Sequence, residues 1–193
     1  NGSVTWAFTN AYADTADLKY YDPQCTADPD CFAVTTHNEV ISTPGGSSSY
    51  VVEETDWGPI VHRTEDGGAV ALRWVAHLPG AMSLNLMSLV LAQDVDELFE
   101  LADSASVPIQ NMVAADSGGR IAWRILGALP DRAPGCGLTD VDLAYDALTD
   151  CEPWPISTTI APRLVDPESG RLWTANSRVI GDEDFARFGS GAY

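Results

Sequence analysis

The sequence predicts an α+β fold, and three observations carry that prediction. Short runs rich in β-branched and aromatic residues, broken by Gly, Pro, Asn and Asp, fill the chain up to about residue 76. A long apolar stretch and then a capped amphipathic one occupy residues 81–103. After Pro108, two more strand-like runs flank Asp116-Ser117-Gly118-Gly119, the pattern of a β-hairpin. No internal repeat is visible, and no linker is long enough to separate independent domains.

Taken in order, Val4–Thr9 reads as a strand ending at Asn10-Ala11, and Leu18–Tyr21 as a second. The Gly/Ser/Pro punctuation Thr43–Ser49 separates two candidates, His37–Ser42 and Tyr50–Glu54. Trp57-Gly58-Pro59 forms a turn into Ile60–Arg63, and Gly67-Gly68 connects that strand to Val70–Val75. Ala81–Ala92 is long and apolar enough for a largely buried helix. Asp94 with Glu97 three residues on is a capping-box pattern, and Val95, Leu98, Phe99 and Ala102 share one helical face behind it. Asn111–Ala115 and Arg120–Ile125 make the hairpin arms. Residues 130–170 read as loop, Leu172–Thr174 as a short strand, and 181–193 as no clear element.

Composition bounds the function. The 193 residues carry 28 Asp+Glu against 10 Lys+Arg, a formal charge of −18. Such a surface repels phosphate backbones and anionic lipid, so neither nucleic acid nor a membrane is an expected partner. No uninterrupted apolar run approaches the ~20 residues that span a bilayer. The chain begins at Asn1 without Met or a signal peptide, which suggests a mature chain, a processed product or an excised piece.

Four cysteines form two local pairs, Cys25 with Cys31 and Cys136 with Cys151. Zinc is the rival reading, but CxxC spacing is absent and no His lies close to either pair. The shorter loop closures are one of three possible connectivities, and disulfides would imply an oxidising compartment.

Unaided, the residues offer little chemistry. His37, His62 and His77 are scattered, and no serine sits in GxSxG or SxxK. Asp14 and Asp17 stand close enough in sequence to share a hard cation such as calcium, or to cap a neighbouring element. Asn176 is either an amide donor or a turn residue.

Four segments together change that reading. Trp6 to Leu18 (WAFTNAYADTADL) resembles the WGxTN-xxxD-xxD-L stretch in the catalytic β chain of the penicillin acylase family. Glu54 to Val61 (ETDWGPIV) resembles its T-x-x-GPV segment. Pro108 to Asp116, continuing through Gly119-Arg120-Ile121 to Gly127-Ala128-Leu129-Pro130-Asp131-Arg132, is similar to its PxNxxxAD-xxGxIxxxxxGxxPxR run. Pro167 to Arg178 (PESGRLWTANSR) is similar to its P-xxG-xxxxANNR signature. The blocks keep the family order across nearly the whole chain.

The resemblance implies an exported bacterial N-terminal-nucleophile amidohydrolase, secreted or periplasmic, and an αββα fold of which this chain is a β-chain fragment. Residues 1–17 and 109–180 would be pieces of the catalytic core, 18–76 an inserted β-rich lobe and 77–108 a helical segment. By position, the Asn10 backbone N–H and the Asn176 side-chain amide would form an oxyanion hole. Phe8 and Tyr12 would line the acyl pocket. Asp14, the Ala16 carbonyl and Asp17 would contribute to a structural Ca2+ site, with no cofactor needed for catalysis. The implied partners are the α chain and the remaining β-chain segments of a parent heterodimer, with a small amide as substrate. The sequence departs from the pattern where Ser177 replaces the second Asn of ANN, and it contains no N-terminal Ser. Two other readings stand beside the leading one: a non-catalytic, calcium-stabilised binding module, and an acylase acting on acyl-homoserine lactones or lipopeptides.

Overall fold

A computed structural model describes residues 2–136, 151–175 and 178–181. The chain divides into two compact units. One comprises Asn1–Thr15, Leu78–Val141 and Trp154–Tyr193, and the other Ala16–His77 with Asp142–Pro153.

The second unit begins with β2 (Ala16–Tyr21); β1 (Val4–Asn10) belongs to the first. Asp22 caps the short helix α1 (Pro23–Thr26), its carboxylate accepting from the Gln24 and Cys25 N–H groups. The Cys25–Cys31 disulfide closes the loop that follows. β3 (Thr35–Thr43) and β4 (Gly46–Glu54) form a two-stranded hairpin joined only by Pro44-Gly45. The expected Gly/Ser loop is therefore mostly strand: Ser47, Ser48 and Ser49 pair with Ser42, Ile41 and Val40. Both faces of the hairpin are exposed over most of its length, so no burial discriminates against small polar residues there. β5 (Ile60–Arg63) and β6 (Ala69–Trp74) complete a three-stranded antiparallel sheet in the order β2-β6-β5. Trp57 is buried beside it and donates its indole N–H to the Asp17 carbonyl at 3.4 Å. Gly58 is required at its position: with φ at +148°, a Cβ would stand 2.1 Å from the Leu72 carbonyl oxygen.

The first unit is built on an antiparallel sheet, β1-β7-β8-β11, with β7 at Gln110–Asp116, β8 at Ile121–Leu126 and β11 at Arg163–Val165. β9 (Leu129–Pro130) pairs with β10 (Ile156–Ser157). The β7–β8 turn closes through Gly119 N–H to the Asp116 carbonyl, and the Asp116 carboxylate accepts from the Arg120 N–H. One face of the sheet presents Val4, Met112, Ala114, Ala122 and Leu126 to Val95, Leu98, Phe99 and Ala102 of α2 (Val95–Ala102). The other buries Trp123 and Ile125 against Leu129, Ala161 and Ile180, with Val113, Leu172 and Val179 packed on the cluster. Burial on both faces explains why β8 reads Ile-Ala-Trp-Arg-Ile-Leu without polar alternation. The α2 cap forms as the pattern predicts, with Asp94 accepting from the Glu97 N–H at 2.8 Å. Glu97 reaches back one residue further, to the Gln93 N–H.

Three expectations need correcting. Residues 81–92 contain a 3-10 helix, Leu84–Leu91, which is exposed rather than buried: Leu84 is 84% and Met87 71% accessible. Only Leu89 of that helix is buried, because the layer beneath supports one side and a helix apolar on several sides cannot turn them all to it. Leu172–Thr174 forms no strand pairing among the described residues. β11, which pairs with β8 at the end of the sheet, comes from a stretch read as loop. β11 is three residues long, too short to leave a periodic signal.

Candidate functional site

The end of β1 is the centre of the site. The Ser117 N–H donates to the Ser3 carbonyl, which sets the phase of the β1–β7 ladder. Residues 3, 5, 7 and 9 therefore exchange backbone bonds with β7, while 4, 6, 8 and 10 turn theirs away. Among the described residues β1 is an edge strand, so the Asn10 N–H points out of the ladder, away from β7. That orientation frees it to donate to something other than the sheet.

Two side-chain contacts hold this strand end. Thr9 Oγ1 lies 3.0 Å from Thr174 Oγ1, joining β1 to the segment 171–175. Asn111, fully buried opposite Thr9, donates from Nδ2 to the Asn10 carbonyl at 3.0 Å and accepts at Oδ1 from the Trp123 indole at 2.8 Å. Ala175 sits at φ +73°, a left-handed conformation that costs a residue with a Cβ ~1–2 kcal/mol. Asn176, the second expected donor, lies outside the described residues, as does Ser177.

An open groove of about 490 Å³ runs along the same edge, between Thr5, Ala7, Val113 and Ala115 on the strands and Leu172 and Thr174 on the segment. Neither expected pocket residue lines it. Phe8 is paired with Met112, on the face that carries α2, and is 40% exposed. Tyr12 follows the strand and is 59% exposed.

Asp14 meets a cation already within the chain. Arg132 approaches its carboxylate at 3.3 Å, donates to its carbonyl at 3.2 Å, and lies over the Trp154 ring. Asp17 is buried on β2, opposite Arg73. Among the described residues no three His, Cys, Asp or Glu side chains gather into a metal-binding group. Of the cysteines, Cys25 and Cys31 are bonded to each other, Cys136 and Cys151 are also in disulfide linkage, and none is free. That disposes of zinc at the cysteines. His37 pairs with Glu54 at 3.0 Å on the exposed hairpin.

Sequence reasoning missed Asn111, Trp123 and the Thr9–Thr174 contact as elements of the site. A signal for Asn111 existed: it is a polar residue that directly precedes the apolar run Met-Val-Ala-Ala of its strand.

Comparison with known proteins finds similarity over nearly the whole chain. The family described as penicillin amidase matches residues 1–192. A penicillin acylase 2 proenzyme from Pseudomonas sp. (strain SE83) is 26% identical over 193 residues. The match covers 95% of this chain and 24% of that protein, so the chain spans about a quarter of the relative's length. A thermostable penicillin G acylase from Alcaligenes faecalis superimposes with a TM-score of 0.73 at 20% identity. It covers 94% of this chain and 34% of its own, a likeness of fold.

Proposed function

Because this chain belongs to the penicillin amidase family, we propose that it is a segment of the catalytic β chain of an exported amidohydrolase that cleaves a linear amide by acyl transfer to an N-terminal Ser. The observation that carries the reading is the family match across residues 1–192. The outward Asn10 N–H supports the site assignment. The chain spans about a quarter of its relative's length, and the nucleophilic Ser is assigned to the part of the parent protein that it does not span.

In this mechanism the Ser hydroxyl attacks the amide carbonyl and gives its proton to its own α-amino group. That amine titrates at about 7.7–8.0, so it is partly neutral near pH 7 without a His partner. Negative charge then develops on the former carbonyl oxygen. The Asn10 N–H and the Asn176 carboxamide donate to it, and loss of one such donor typically costs ~10²–10³ in rate. The amine leaves with the proton, and water hydrolyses the acyl-enzyme by the reverse logic.

Phe8 and Tyr12, both exposed on this chain, would give aromatic walls to an acyl pocket completed by the rest of the enzyme. The substrate is an N-acyl compound, with β-lactam side chains, acyl-homoserine lactones and lipopeptides as the classes to compare. The disulfides suit an oxidising compartment, and no helix among the described residues is long and apolar enough to cross a membrane. A structural Ca2+ would be held by Asp14, the Ala16 carbonyl and Asp17 together with ligands from the rest of the enzyme.

The test is expression of the full open reading frame beside the isolated 193-residue chain, each assayed on N-acyl amides of graded acyl length. Turnover by the matured parent and none by the chain is expected. Robust turnover by the chain alone would overturn the assignment of the nucleophile.

A further inference from the structure

Asn111 is 0% exposed, and an apolar side chain of similar volume would suit its strand. A buried carboxamide is costly unless both its ends are satisfied. Here both are, and in a fixed sense. The Trp123 indole N–H is a donor only, so the Asn111 atom facing it at 2.8 Å must be the oxygen. The amide nitrogen is thereby forced toward the Asn10 carbonyl, 3.0 Å away.

The ladder does not engage Asn10, which occupies a non-hydrogen-bonded position opposite Gln110. Its neighbour Thr9 is fixed by the ladder and by Thr174. Asn111 supplies the restraint on the far side of the Asn10 Cα, where the chain leaves the strand. With both flanking peptide units held, the direction of the Asn10 N–H is held too.

We infer that Asn111 is a positioning residue for the oxyanion hole: keyed by the Trp123 indole, it grips the Asn10 carbonyl and so aims the Asn10 N–H. This rests on the proposed role of Asn10 as an oxyanion donor. A donor displaced by about 1 Å forfeits much of its effect, which bears on the transition state more than on the bound substrate.

The experiment uses the matured enzyme expressed from its full open reading frame. Asn111→Leu keeps the bulk and removes both bonds; kcat is expected to fall about 10–100-fold with KM within about 3-fold. Asn111→Asp restores a donor only when its carboxyl is protonated, so its kcat relative to wild type should rise as pH is lowered. Trp123→Phe removes the indole N–H together with part of the buried ring and serves if the Leu variant does not mature; a drop of about 3–10-fold in kcat with KM within about 3-fold is expected. Asn176→Ala is run alongside. If it lowers kcat while Asn111→Leu and Trp123→Phe match wild type, the inference is wrong and the oxyanion assignment stands. If Asn176→Ala itself leaves kcat unchanged, the oxyanion assignment falls and takes this inference with it.

Discussion

Replacing Arg124 by Met tests what holds the first unit together. The guanidinium is buried on β8 and bonded at four points: the Phe99 carbonyl at 3.0 Å, the Ile125 carbonyl at 3.2 Å, Asp103 Oδ1 at 2.7 Å and the Thr158 carbonyl at 2.9 Å. It also lies over the Phe99 ring. Burial pushes its pKa down, and Asp103 opposes that. The four bonds do not simply add, because desolvation of the cation is subtracted from them. Met fills the volume but leaves the Thr158 carbonyl without this donor. The Phe99 carbonyl keeps the Asp103 N–H, and Asp103 is partly exposed and rehydrates. The net cost is therefore near the lower end of the ~3–5 kcal/mol found when one partner of a buried pair is removed. For a chain of this size, ~3 kcal/mol lowers Tm by roughly 6–12 °C. Urea and thermal unfolding followed by Trp fluorescence measure it, with Arg124→Lys, which keeps the charge without the planar fork, falling between. A Met variant as stable as wild type would refute the reasoning, because the ion network would then contribute nothing net to the fold.

Two further perturbations address the turns. Arg120 and the Ile121 N–H hold the Asp166 carboxyl below the usual carboxylate range. Its ionised form therefore stabilises the fold fully above the unfolded Asp value of about 3.9, and that stabilisation is lost as pH falls through the lower folded value. Asp166→Asn should remove this component, so that stability falls less steeply than in wild type below about pH 4; superimposable acid limbs would count against the contact. Gly127, at φ +113°, has no room for a Cβ, which would stand 2.4 Å from the Val107 carbonyl oxygen. Gly127→Ala is expected to cost several kcal/mol, against about 1 kcal/mol for Gly170→Ala, where φ is +64° and nothing lies within 4 Å. Paired far-UV CD melts compare them, and equal losses would show that the close approach at Gly127 is relieved by backbone shift.

The regions of the fold that were legible in the sequence are those where local chemistry and burial agree. Asp94, Glu97 and the Val95-Leu98-Phe99-Ala102 stripe mark α2 because cap, dipole and buried face all point one way. The β7–β8 hairpin was legible for the same reason, since Asp116 and Gly119 supply turn bonds between two buried strands. Leu84–Leu91 misled because apolar composition reports a preference for burial, and the fold provides only one covered side. The β3–β4 hairpin misled in the opposite way. Its Ser and Gly residues signal a loop, yet in an exposed two-stranded ribbon no core penalises them and backbone pairing alone sets the register.

The candidate site was legible only where a donor sits on the backbone. Asn10 could be placed at the end of β1 from Val-Thr-Trp-Ala-Phe-Thr alone, but the direction of its N–H depends on ladder phase, and phase is set by the Ser3–Ser117 pairing, between residues far apart in sequence. The same non-locality hides Asn111. A polar residue in a strand gives no hint of its partners, and those partners, the Asn10 carbonyl and the Trp123 indole, come from two neighbouring strands. Asp14 shows the converse. Its spacing from Asp17 suggested a cation, but the cation that meets it within this chain is Arg132, brought from the far end of the β8–β9 run. Sequence spacing thus ranks which side chains are chemically able to form a site. Strand register decides which of them do so, and a buried group whose donors and acceptors are all matched, as at Asn111, is the sign that register has done so.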